Sequence, residues 1–363
     1  MYKPNKLPPN FDFESKNILK KLADARSALA ELKGFVHTIP NQSILINSLA
    51  LQEAKDSSAV ENIITTDDEI FKAELDQKLI KNIATKEVQN YNLALQEGFK
   101  LVQKNKIIQN NCILDIQEIL EENKAGYRKL PGTNLKNELT GEIVYEPPQN
   151  SLEIQNLMTD FVDYLNNDEK HNIDPLIKMA IIHFQFESIH PFYDGNGRTG
   201  RILNILYLIS KRLLDLPILY LSRFIIQNKS DYYRLLQNVR DKNEWENWVI
   251  FTLQGVQLTS LDTINIIREI KILMQEYKDF LRNNFGFYSQ DLLNNLFKHP
   301  YTKIEFVEKD LRITRQTASK YLNEIANHPL KLIEKIQVGK FSYFVNVKLF
   351  ELLSQKRNVM LKK

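Results

Sequence analysis

The segment His190–Arg201, HPFYDGNGRTGR, gathers more chemistry than a plain turn needs. It lies between two apolar runs that read as helices, Pro175–Ser188 and Gly197–Leu213, so it is a loop opening onto a helix N-terminus. Gly195, Asn196 and Gly197 can take positive or unusual backbone angles that turn successive N–H groups inward, and the helix dipole adds positive charge at the same end. Such a site suits phosphate. Arg198 and Arg201, at i and i+3, share one helix face, where two guanidiniums can hold two phosphates of a polyphosphate. Asp194 stands just before them and can hold a magnesium ion that bridges phosphates. His190 is the only group of the motif that titrates near neutral pH, and it can take a proton from an attacking hydroxyl. Together these groups describe a nucleotidyl or phosphoryl transferase site.

The elements that must position this loop are mostly helical. Glycine is scarce, 11 in 363 residues, and apolar residues recur at helical spacing over residues 15–33, Asn41–Ala54, Lys72–Val102, Asn111–Glu122, Leu152–Asn166 and Trp245 to about Asn283. Between them, Thr133–Asn137 and Glu142–Tyr145 flank ELTG, which predicts a short hairpin with a glycine turn, stopped by Pro147–Pro148. From Phe285 the pattern changes. Ile304–Leu311, RITRQ and Thr317–Ile325 predict helix, turn, helix, and Leu332–Val338 and Phe341–Val347 predict two strands about a Gly339–Lys340 turn. That order is the one of a winged helix-turn-helix.

At roughly 150 residues per domain, the length predicts two to three domains, here 1–84, 85–284 and 285–363. Apolar residues at 43% and charged residues at 26% exclude collagen-like, disulfide-stapled and wholly disordered classes. Charge is unevenly spread. Residues 285–363 hold 14 basic and 7 acidic side chains, a net of +7, whereas the remaining 284 residues hold 34 and 38, a net of −4, within a total of +3. The one cysteine, Cys112, cannot form an internal disulfide or a multi-thiolate metal site and reads as a small buried hydrophobe in a reducing compartment. No signal peptide and no apolar run of about 18 residues is seen, so no membrane contact and a cytoplasmic location are expected.

HPFYDGNGRTGR resembles the signature of the Fic family, His-Pro-Phe-x-x-Gly-Asn-Gly-Arg-x-x-Arg, with every fixed position present. The resemblance extends to an N-terminal segment at about Leu7–Glu69, an all-helical core at about Thr85–Leu258 and the winged-helix tail. It implies a mainly α, Fic-type helical core with a β-hairpin flap and a C-terminal winged helix. It implies transfer of AMP from ATP to a Ser, Thr or Tyr hydroxyl of a protein. By the same resemblance His190 is the general base and Asp194 holds Mg2+ between the α- and β-phosphates. Gly195, Asn196 and Gly197 form the anion hole, with Thr199 and Gly200 also in the nucleotide-binding segment. Arg198 then meets the β-phosphate and Arg201 the γ-phosphate.

The hairpin falls where the family has its flap, which lays a target backbone along Thr133, Asn134, Leu135 and Lys136; the other reading is a hairpin that only covers a core edge. Tyr232 and Tyr233 resemble a tyrosine pair lining the nucleotide pocket, although aromatic pairs on helices are otherwise core. Upstream, Ser57, Glu61 and Asn62 resemble the Ser-x-x-x-Glu-Asn inhibitory motif, with Ser57 and Glu61 at i and i+4 on one helix face. In the family that glutamate pairs with the second arginine, here Arg201, and blocks the γ-phosphate; this would be the N-terminal self-inhibited subclass. The alternatives are another donor, removal of AMP with Glu61 orienting a water, or a DNA-binding regulator with a nucleotide-sensing core. For the last, Arg315, Gln316, Thr317, Ser319 and Lys320 would meet DNA. Expected partners are a protein target, the chain itself through self-modification, DNA or protein at the winged helix, and a second copy in a homodimer.

Overall fold

Polar caps and apolar spacing divide the chain into helices that enclose one central pair. The computed structural model describes residues 2–359 apart from 40, 76–79, 81, 137–139, 170, 171, 339, 340 and 355–358. Helix α1 (Lys16–Val36) starts at Ser15, whose side chain accepts the Ile18 N–H. It is followed by α2 (Ser43–Val60), α3 (Asp67–Leu75) and α4 (Ile83–Asn105). The run expected as one helix, Lys72–Val102, is thus divided, because Asn82 accepts the Thr85 N–H and caps a new helix. By contrast α2 runs six residues beyond Ala54. Its last turns carry Ser57 and Ser58, which are polar yet fully buried, so hydrophobic periodicity does not reveal them.

After α5 (Asn110–Glu121) comes the hairpin, β1 (Leu135–Lys136) and β2 (Ile143–Tyr145), antiparallel with Leu135 opposite Tyr145 and Lys136 opposite Ile143. It is shorter than expected, and Asn137, Glu138 and Leu139 of its turn lie outside the described residues. Then come α6 (Ser151–Asn166), α7 (Pro175–Ile189), α8 (Asn196–Ser210), α9 (Leu221–Gln227), α10 (Lys229–Lys242) and α11 (Trp245–Asn284). Every residue of α7 from Leu176 to Ile189 is buried, as is nearly all of α8, so these two form the centre of the core. Helix α11 is 40 residues long and packs along α1. Helices α9 and α10 are additions to the sequence expectations.

The tail contains α12 (Gln290–Lys298), β3 (Tyr301–Thr302), α13 (Ile304–Leu311), α14 (Arg315–Ala326), β4 (Glu334–Val338), β5 (Phe341–Val345) and α15 (Val347–Ser354). Its three-stranded antiparallel sheet has the order β3-β5-β4. Val347 was expected in a strand. Instead Asn346 accepts the Leu349 N–H and caps α15, which ends β5 two residues early. Gly339 and Lys340, the expected wing turn, lie outside the described residues. The last turns of α11 belong to this packing unit, since the Tyr277 hydroxyl lies 2.7 Å from both Leu332 O and Asn346 Oδ1, within reach of either acceptor. On α14, Arg315 pairs with Glu305 and Lys320 with Glu324. No described helix is long and apolar enough to cross a membrane.

Candidate active site

The loop between α7 and α8 is built by its own side chains. His190 ends α7 in the left-handed region at φ 49°, and Gly195 opens α8 at φ 74°. Asn196 closes the turn between them: Oδ1 accepts the Phe192 N–H at 2.8 Å and Nδ2 donates to Phe192 O at 2.9 Å. Its side chain therefore holds the loop and leaves the backbone to face a ligand. Arg128, which the sequence reading missed, pins the same loop. Its Nε donates to His190 O at 2.7 Å and its Nη2 to Pro148 O at 2.6 Å, while its N–H donates to Pro191 O. The Tyr193 hydroxyl accepts the N–H groups of Lys129 and Leu130, fastening the approach to the hairpin. Gln149 bridges the hairpin stem, accepting from Gly132 N–H and donating to Thr133 O.

Burial first, and then the guanidiniums of Arg128 and Arg240, lower the His190 imidazole to about 3. It is therefore neutral at physiological pH and free to accept a proton. Asp194 is 77% exposed at the lip of the loop, and its Oδ1 accepts the Gly195 N–H at 2.7 Å.

Both arginines are buried and fully engaged. Arg201 donates from Nε to Ser57 Oγ at 2.7 Å, and from Nη2 to Ser57 O at 2.9 Å and Glu61 Oε1 at 2.7 Å. Burial opposes its charge, yet the Glu61 carboxylate and the acidic groups around it raise its proton affinity above that of a free guanidinium. The other oxygen of Glu61, Oε2, accepts from Arg198 Nε at 3.1 Å. Glu61 thus spans both arginines, whereas the resemblance implied only Arg201. It stands at the C-cap of α2, one turn beyond Ser57. A Cβ on Gly197 would collide with Glu61 Oε1, so this carboxylate lies directly over the glycine loop.

Arg198 has two more partners that no local pattern signals: Nη1 meets Glu87 Oε2 at 2.7 Å and Nη2 meets Glu121 Oε1 at 2.9 Å. Asn62, at φ 62°, accepts from Lys229 Nζ at 3.0 Å, tying the segment after α2 to α10. Thr199 is buried, and its N–H donates to Gly195 O. Gly200 faces Phe186, His183 and the buried Glu187. The tyrosine pair is split. Tyr232 is buried with its hydroxyl 2.9 Å from His183 Nε2, and Tyr233 is 48% exposed.

Three profiles match in succession: the Fic/DOC family N-terminal segment at 19–100, the Fic/DOC family at 108–208 and the C-terminal domain of SoFic-like protein adenylyltransferases at 273–349. The protein adenylyltransferase fic-1 of Caenorhabditis elegans is 36% identical over 128 residues, 33% of this chain and 24% of that protein. A probable protein adenylyltransferase of Aquifex aeolicus is 28% identical over 185 residues, 50% of this chain and 54% of its own length. The chain thus spans about half or less of these curated relatives. A Fic family protein from Desulfovibrio desulfuricans G20 has the same fold at 20% identity, with a TM-score of 0.55 over 95% of this chain and 98% of that one. C. elegans Fic-1 superposes with a TM-score of 0.54 at 20% identity, over 68% of this chain and 71% of that one. Since N-terminal segment, core and tail each match in turn, the chain belongs to the Fic family.

Proposed function

We propose that this protein transfers AMP from ATP to a hydroxyl of a protein, itself included, and that Glu61 holds it inactive. The observation that carries this reading is the Glu61 carboxylate, one oxygen on each arginine and one face against Gly197, in the place that polyphosphate oxygens would take. A partly buried carboxylate at that position is a stand-in anion, and its displacement exposes two guanidiniums and the glycine backbone together.

In the transfer, the target hydroxyl gives its proton to the neutral His190 imidazole while its oxygen forms a bond to the α-phosphorus. The bond from that phosphorus to the pyrophosphate oxygen breaks, and Arg198 and Arg201 neutralise the leaving pyrophosphate. Gly195, Asn196 and Gly197 offer backbone N–H groups, with Thr199 and Gly200 behind them in the first turn of α8. Among the described residues no group of three His, Cys, Asp or Glu could hold a metal alone. The exposed Asp194 would instead hold a Mg2+ that arrives with the nucleotide. Bound there, the ion would neutralise phosphate charge. The exposed Tyr233, rather than the buried Tyr232, is the member of the pair open to a nucleotide. The free edge of β1, with Thr133, Asn134, Leu135 and Lys136 at and before it, suits a target backbone added as a strand.

Glu61→Gly removes two charge-assisted bonds and should raise labelling of the protein by labelled ATP at least about tenfold. His190→Ala in that variant should abolish it, and mass spectrometry should find the gain of one AMP. Flat labelling after Glu61→Gly would sink the inhibitory role, and a different added group would sink the donor.

A further inference from the structure

The Arg198 guanidinium is caged by carboxylates on three sides, Glu61 at Nε, Glu87 at Nη1 and Glu121 at Nη2. Only the first belongs to the Ser57–Asn62 segment. If Glu61 swings away, Arg198 stays tied to the other two, and the site still holds three carboxylates, with Asp194, against two guanidiniums.

Glu121 is placed differently from Glu87. Its Oε1 occupies the space beside Gly195 that a Cβ there would fill, just as Glu61 Oε1 does beside Gly197. The two ends of the glycine turn are therefore each covered by a carboxylate oxygen. Glu121 is also the last residue of α5, where the helix dipole disfavours an acid, and its side chain is only 14% exposed. Burial raises its carboxyl to about 7, against the pull of Arg198 and with Asp194, Glu87 and Glu61 adding to the rise.

We propose that Glu121 is a second inhibitory carboxylate, which covers the Gly195 end of the loop and competes with nucleotide phosphate for Arg198 independently of Glu61. This rests on reading the loop as a nucleotide site and adds to it a residue from outside both motifs. Release of Glu61 then frees Arg201, the Nε of Arg198 and the Gly197 end of the loop, whereas access to the Gly195 end and to Nη2 of Arg198 requires Glu121 to turn out as well.

The test is equilibrium binding of ATP with Mg2+ to the full chain, in four forms: unchanged, Glu61→Gly, Glu121→Gln and both. Glu121→Gln should tighten binding about tenfold in each background, the worth of one charge-assisted contact. Glu118→Gln, an exposed acid on the same helix paired with Lys124, should change nothing. If Glu121 only oriented Arg198 for phosphate, Glu121→Gln would weaken binding, and unchanged or weaker binding overturns the proposal. Should Glu121→Gln fail to fold by its melting curve, Glu121→Asp, which keeps the charge one methylene further back, must tighten binding in its place. Labelling is read separately. Tighter ATP binding without any labelled protein in Glu61→Gly would leave this inference standing and remove the transferase reading, and the opposite result would do the reverse.

Discussion

At the scale of single residues, the site depends on opposite treatment of acids and bases by one buried environment. His190 is pushed down to about 3 by burial and by Arg128 and Arg240, so its charged form is disfavoured in the folded chain. With an ordinary value near 6.5, an imidazole would be mostly charged at pH 5.5; with this environment it stays neutral there. Its ring resonances in the free protein should therefore hold their positions from pH 8 to pH 5 in an NMR titration, and a midpoint near 6.5 would contradict the site geometry. Any acid limb in labelling over that range then belongs to another group. The loop and the residues it gathers were legible, because they are contiguous. Glu87, Glu121 and Arg128 were not, because each reaches the loop from more than sixty positions away and sits in an unremarkable local pattern.

At the scale of elements, the contact of Glu61 with the two arginines is only as firm as the seat of α2. That helix buries Glu53 and Asp56 against α9: Glu53 accepts from the Ser222 N–H and hydroxyl, and Asp56 Oδ2 accepts from Arg223 Nε at 3.0 Å. Gln52 accepts from Arg223 Nη2, and Lys55 with Gln52 also reaches Asp67 at the start of α3. These polar contacts explain why α2 outran its hydrophobic pattern. The helix is held by buried hydrogen bonds, which the spacing of apolar residues cannot report, just as the cap at Asn82 broke a run that looked continuous. Asp56→Ala frees the Arg223 contact one turn before Glu61 while leaving Glu61 in place. It should raise labelling by labelled ATP about fivefold, as loosening the seat by roughly 1 kcal/mol would, and by less than Glu61→Gly. No change would mean that α2 keeps its position without the Asp56–Arg223 pair.

At the scale of the whole molecule, the acidic core and the basic tail seen in the charge count are joined through α3. The Phe71 ring is buried between His299, Tyr301 and Phe350 of the winged helix, at centroid distances of 5.2, 6.5 and 5.9 Å. The Tyr301 hydroxyl donates to Asp68 Oδ1 at 2.5 Å, and His299 lies 3.0 Å from Glu74. Because α3 is also tied to α2 through Asp67, and α12 packs against α2 itself, the tail rests on both of these helices, an arrangement that composition and periodicity gave no means to foresee. If this interface is what buries Phe71, then Phe71→Ala should cost about 3–5 kcal/mol in the full chain, the usual range for a buried phenylalanine. In a chain ending at residue 284 the ring has already lost those partners, and the same substitution should cost well under half as much. Thermal or denaturant unfolding of the four forms closes the cycle. Equal losses in the long and short chains would show that Phe71 is buried by the core alone and that the tail is no support for α3.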